Sequence, residues 1–211
     1  MGYRIPAFDP RKTALLVIDM QNDFLRPGAP LETPAGRELV PLLRDTVATA
    51  RQAGVAIIYT AHVHRRDGCD MGRFRDIYPP IAAGQALIDE TPGVDIYPEC
   101  APQPGDLLIK KHRYSAFYQT DLEMILRGRG IDTVAVAGVT TEDCVHATAR
   151  DAMFRDFHTT VLSDCCATYD HPDLGQGAMN WRQVHQATLV VLAQSTADVR
   201  TAREFTAALG A

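Results

Sequence analysis

The sequence predicts a single-domain, three-layer α/β/α sandwich built on a six-stranded, mainly parallel sheet, and three observations predict it. Short runs of β-branched and apolar residues alternate with longer segments of helical periodicity. The runs are apolar at consecutive rather than alternate positions, as in strands covered on both faces. The chain has 211 residues, 46% hydrophobic and 22% charged, enough for one full core, so residues 1–211 read as one domain.

The first strand is the run from Thr13 to Asp19. A helix over 36–53 follows, with Leu39, Leu42, Leu43, Thr46, Val47 and Ala50 at three- and four-residue steps, and Gly54 ends it. Val55 to Ala61 is the second strand. The polar segment from His62 to Gly105 is long for a compact domain, a length associated with binding loops and lids, and a short helix from Ile81 to Ile88 is expected to interrupt it. Next come a strand from Asp106 to Lys111, a helix from Thr120 to Arg129 and a strand from Thr133 to Gly138. A helix from Glu142 to Phe154 and a strand from Thr159 to Asp164 follow. A helix from Gly175 to Gln186, a sixth strand from Thr188 to Leu192 and a helix from Thr196 to Leu209 complete the pattern.

The net charge of −5 and pI near 5.8 argue against nucleic acid or an anionic membrane as the main partner and favour a small molecule. The N-terminal residues lack the apolar core of a signal peptide, and no stretch approaches the roughly 20 apolar residues of a membrane span. Cys69, Cys100, Cys144, Cys165 and Cys166 show neither metal-like nor disulfide-framework spacing, so the expectation is reduced thiols and a cytoplasmic protein. No Gly-x-Gly-x-x-Gly follows the first strand, which argues against a dinucleotide cofactor.

Ligand sites in open parallel sheets form beyond the carboxyl ends of the strands. Asp19 closes the first strand, where a carboxylate needs a partner or a cleft; a helix cap or structural ion pair would serve equally. Lys110 and Lys111 close the third, and since side chains alternate, only one points into a shared cleft. The alternative is a solvated strand end for both. Cys144 falls in the strand-to-helix turn Gly138-Val139-Thr140-Thr141-Glu142-Asp143-Cys144-Val145, where unpaired amides and the helix dipole favour an ionised sulfur and an oxyanion. The other four cysteines read as small packed hydrophobes.

Three blocks carry a resemblance: Ala14-Leu15-Leu16-Val17-Ile18-Asp19-Met20-Gln21-Asn22-Asp23-Phe24, Lys111-His112-Arg113-Tyr114-Ser115-Ala116-Phe117, and Gly138 through Asp151. In this order and spacing the chain resembles the isochorismatase-like cysteine hydrolases, which include nicotinamidases and the N-carbamoylsarcosine, biuret and ureidoacrylate hydrolases. The resemblance implies an Asp19–Lys111–Cys144 triad, selecting Lys111 over Lys110. It also implies a cis peptide at Val139–Thr140, an oxyanion hole from the Thr140 and Cys144 amides, no cofactor, and a homodimer or homotetramer. Nicotinamidases carry an Asp-x-His metal motif after the second strand, whereas this chain has Thr60-Ala61-His62-Val63-His64. The expectation is therefore no metal, and a small amide, carbamoyl or ureido compound as substrate rather than nicotinamide. Isochorismatases proper lack the cysteine, which disfavours vinyl-ether hydrolysis; a catalytically idle binding protein is the remaining alternative. Phe24, Tyr114, Phe117 and Trp181, with Val139, are the candidate pocket walls, and His62, His64 and Arg66 candidate contacts for a carboxylate or ureido group.

Overall fold

The computed structural model describes residues 3–210; Met1, Gly2 and Ala211, which the expected domain span and the N-terminal reading include, lie outside the described residues. The strands are β1 (Thr13–Ile18), β2 (Ala56–His62), β3 (Leu107–Lys111), β4 (Thr133–Val139), β5 (His158–Ala167) and β6 (Asp198–Arg200). They form one six-stranded sheet in the order β3-β2-β1-β4-β5-β6, with every neighbouring pair parallel. The helices are α1 (Asn22–Leu25), α2 (Pro34–Glu38), α3 (Val40–Gln52), α4 (Phe74–Ile77), α5 (Pro79–Ala82), α6 (Leu122–Gly128), α7 (His146–Phe154), α8 (Trp181–Ser195) and α9 (Ala202–Ala208). Among the described residues no helix is long and apolar enough to cross a membrane.

Two cores flank the sheet. Leu15 and Val17 of β1 share one with Leu43 and Val47 of α3 and Phe205 of α9. Ala14, Leu16 and Ile18 share the other with Leu126 of α6, Ala149 of α7 and Leu192 of α8. With cores on both faces, a polar residue inside β1 or β4 would be buried without a partner, hence the absence of polar side chains in both after the opening Thr13 and Thr133.

Several expected elements shift, for local reasons. The helix expected over 36–53 is two: α2 stops at Glu38, and Pro41 lies in the first turn of α3, where its missing N–H is harmless. The helix expected from Ile81 to Ile88 is only α5. Gly84 turns the chain with a φ of +67°, and beyond it the His64 amide donates to the Leu87 carbonyl at 2.6 Å and the Asp89 amide to the His64 carbonyl at 2.8 Å.

The largest correction concerns the sixth strand. Thr188 to Leu192 lies inside α8, and β6 is Asp198–Arg200. The β-branched run invites a strand assignment, but Val184, Leu189 and Leu192 are the buried face of a helix while Val190 and Val191 are exposed. A capping box fixes its start: the Asn180 side chain accepts from the Gln183 amide and the Gln183 side chain from the Asn180 amide. The helix expected from Gly175 therefore begins at Trp181, and the one expected from Thr196 is α9, capped by Thr201 and Glu204.

Winding reverses between β1 and β4, the first strand having β2 on one side and β4 on the other. This switch point opens a crevice beyond their carboxyl ends.

Candidate active site

Asp19 directly follows β1 and is fully buried in the left-handed conformation, φ +50°. Such a backbone is uncommon for a non-glycine residue and concentrates at functional sites. The Thr60 hydroxyl fixes the residue, donating to Asp19 Oδ1 at 2.6 Å and accepting from the Asp19 amide at 3.1 Å. Lys111, the last residue of β3, points inward, its Nζ 2.6 Å from Asp19 Oδ2. Lys110 points the other way and pairs with Asp89 on the surface at 2.7 Å.

The Lys111 ammonium also donates to the Arg113 carbonyl at 3.0 Å and to Cys144 Sγ at 3.3 Å. Two hydrogen-bond acceptors and the ion pair with Asp19 allow this ammonium to stay charged without solvent. Burial draws the Lys111 pKa down, but the Asp19 carboxylate and the sulfur outweigh it, and the net direction is upward. Cys144, 4% exposed, sits in the π-type turn Thr141–Val145 that joins β4 to α7. The Val145 amide bonds to the Thr140 carbonyl at 3.1 Å, which spans the turn. The Val139–Thr140 peptide is cis.

The sulfur was expected to be ionised, and its environment works against that charge. Burial pushes the Cys144 thiol well above its ordinary value; Lys111 works against that, while Asp19 and Asp143 add to the push. Asp19 and Lys111 already cancel each other's charge, and a thiolate would leave the buried cluster net negative. Both effects favour the neutral thiol. His62 is also neutral, held well below its ordinary pKa by burial and by the Lys111 charge.

A cavity of about 300 Å³ opens onto Cys144 and Thr140. Of the expected pocket walls, Phe24 and Tyr114 line it and Phe117, Val139 and Trp181 do not. Phe117 belongs to the core around α6 and α7, against Phe157 at 5.8 Å. Val139 is spent on packing: a Cβ on Gly36 of α2 would come within 2.8 Å of its Cγ1. Trp181 opens α8, with its amide donating to Asp170 at 2.7 Å and Arg182 over its ring. His62 lines the cavity; His64 is buried behind it, and Arg66 is exposed beside Glu90. Cys69 is exposed, contrary to its reading as a packed hydrophobe, whereas Cys100, Cys165 and Cys166 are buried.

The sequence reading missed Phe74, Tyr78, Asp143 and Tyr169, all of which line the cavity. Asp143 lay within the block that carries Cys144, and its place one residue from the nucleophile candidate was the available signal. Phe74 and Tyr78 come from the long segment, where no periodicity marks an inward side chain. The Tyr78 hydroxyl lies 2.9 Å from that of Tyr114 and donates to Asp143 Oδ2 at 3.1 Å.

Among the described residues two sets of side chains have metal-ligand chemistry: Asp19, His62 and Cys144, and His64, Asp70 and His112, with one donor atom from each residue of a set within 4.8 Å of the others. In the first, the Lys111 ammonium already stands against both Asp19 and Cys144, so a further cation does not fit there. In the second, Asp70 accepts the Arg65 amide at 3.0 Å and His112 Nδ1 lies 2.8 Å from the Val63 carbonyl. Burial draws the His64 pKa down to about 4.

Residues 13–204 match the family described as the isochorismatase domain. A probable inactive nicotinamidase of Arabidopsis thaliana is 36% identical over 164 residues, 74% of this chain and 81% of that protein. Among solved structures, a cysteine hydrolase from Pseudomonas syringae pv. phaseolicola 1448A superimposes with a TM-score of 0.95 at 35% identity, covering 100% of this chain and 97% of that one. An N-carbamoylsarcosine amidase from Thermoplasma acidophilum gives 0.71 at 29% identity, covering 90% and 96%.

Proposed function

The chain belongs to the isochorismatase family of hydrolases, and from that premise we propose that it is a cytoplasmic cysteine amidohydrolase cleaving the C–N bond of a small amide, carbamoyl or ureido compound. One observation carries this reading: a thiol at the end of a cavity, in hydrogen-bond contact with an ammonium that is itself paired to a buried carboxylate. Likeness to a solved cysteine hydrolase and to an N-carbamoylsarcosine amidase supports it.

In this scheme Asp19 takes the Cys144 proton as the sulfur attacks the amide carbonyl carbon, so that no free thiolate has to persist in the buried site. The Thr140 and Cys144 amides receive the oxyanion, and Lys111 holds the carboxyl and sulfur in register. Collapse breaks the C–N bond, the departing nitrogen takes the proton from Asp19, and ammonia leaves a thioester on Cys144. Water then gives its proton to Asp19 and attacks the thioester; the acid product leaves and the proton returns to sulfur.

Ammonia release from N-carbamoyl compounds, ureido acids, biuret, maleamate and nicotinamide tests the proposal. The expected result is turnover of at least one, with an acyl adduct on Cys144 by mass spectrometry and a loss in Cys144→Ala of roughly a thousandfold or more. Wild-type turnover by Cys144→Ala would overturn it. Nicotinamide is in the panel because of the Arabidopsis relative, whose name denies that activity.

A further inference from the structure

The charges around the cavity bear on which amide it accepts, an inference that rests on the hydrolase reading above. Two charged side chains line the cavity among the described residues, Glu32 and Asp143, and both are acidic. Glu32 is neutralised by Arg37 at 2.9 Å. Asp143 has no ion-pair partner among the described residues, and its one side-chain hydrogen bond comes from Tyr78. Lys111 is fully buried, paired with Asp19 and bonded to Cys144 and the Arg113 carbonyl, and burial holds His62 neutral. A carboxylate entering this cavity would lose its water, meet no cation and face Asp143.

The aromatic walls complement the carboxylate. Phe74, Tyr78, Tyr114 and Tyr169 line the same space, with the Phe74 and Tyr114 rings edge to face at 4.9 Å and the two hydroxyls of Tyr78 and Tyr114 in contact. Aromatic faces around an acidic group are the chemistry that binds ammonium nitrogen. Burial pushes the Asp143 carboxyl up, and the Tyr78 hydrogen bond and the more distant His171 and Lys111 oppose it; none of these is a direct ion pair, the contact that a bound cation would supply.

We infer that the amide cleaved at Cys144 carries a positively charged nitrogen, held by Asp143 within the box of Phe74, Tyr78, Tyr114 and Tyr169, and that amides bearing a carboxylate are excluded. Asp143 is then a specificity residue: it holds the charged nitrogen while Cys144 meets the carbonyl.

Three amides with the same linker test this: γ-aminobutyramide (cationic), valeramide (neutral) and glutaramate (anionic). Ammonia release by the wild-type protein should rank them in that order, with kcat/KM for the cation about tenfold or more above the neutral amide. Asp143→Asn, which keeps an acceptor for Tyr78, should bring the ratio of kcat/KM for γ-aminobutyramide over valeramide down to about one, with the loss in KM for the cation. Preference for glutaramate, or an equal loss on all three, would overturn the inference. Affinities measured by calorimetry on Cys144→Ala, with and without Asp143→Asn, separate this inference from the hydrolase reading. The same ranking without turnover in the wild type would sink the chemistry and keep the head-group assignment. Turnover without the ranking, or no binding of γ-aminobutyramide up to about 10 mM, would sink the assignment.

Discussion

An ammonium out of contact with water costs several kcal/mol in lost hydration, and Lys111 offsets this with the carboxylate of Asp19 and two further acceptors. Its stability role can therefore be tested apart from its proposed chemical one. Lys111→Met leaves a buried carboxylate unpaired and should lower unfolding stability by about 3–5 kcal/mol in urea titrations. Adding Asp19→Asn should restore most of that loss, because two neutral groups then face each other; a double variant as unstable as the sum of the singles would show that the pair is not coupled. At this scale the sequence was most informative where a residue type is costly in its setting. A carboxylate ending an apolar strand and a cysteine in a strand-to-helix turn are conspicuous for that reason, and the structure places both against Lys111. Phe117 and Trp181 carried no such signal, since an aromatic serves a core and a pocket wall equally well.

Where β4 leaves the sheet, Gly138 takes a φ of +122°, and a Cβ there would lie 2.1 Å from the Ile18 carbonyl oxygen of β1. This close approach joins the two strand ends that deliver Asp19 and Cys144. Gly138→Ala should force β1 and β4 apart and lower stability by at least about 2 kcal/mol, read as a fall in Tm by calorimetry. An unchanged Tm would mean that the strand ends accommodate a methyl group. Long apolar strands were readable because both faces are covered and nearly every position must be apolar. The end of the chain was not: Thr188 to Leu192 has strand-like residues in a helix, and three residues at the sheet edge, Asp198, Val199 and Arg200, form the strand. Local preference there is outweighed by the capping box at Asn180 and by the buried face of α8.

The two ends of the described chain are tied together on the side of the molecule that carries α9. Asp198 is fully buried, accepts the Ile5 amide at 2.9 Å and pairs with Arg4 at 2.9 Å and Arg200 at 2.7 Å. Phe8 packs edge to face on Phe205 at 5.2 Å, with Arg200 over its ring. None of these residues lines the cavity. Asp198→Ala should destabilise the protein by about 3 kcal/mol by leaving Arg200 and the Ile5 amide short of partners. Turnover per folded molecule should stay unchanged in assays well below the new Tm, and a matching loss of turnover would show that the clamp reaches the site. By itself the sequence determined the layered architecture, one domain, and the residues of the acid, amine and thiol cluster, because strand burial and the chemistry at strand ends are written in local patterns. The tertiary structure alone decided that burial pushes the thiol up and that Asp143 and four aromatic side chains from separate segments line the cavity. Those outcomes depend on charges and side chains brought together from distant parts of the chain, and on a desolvation that no local pattern records.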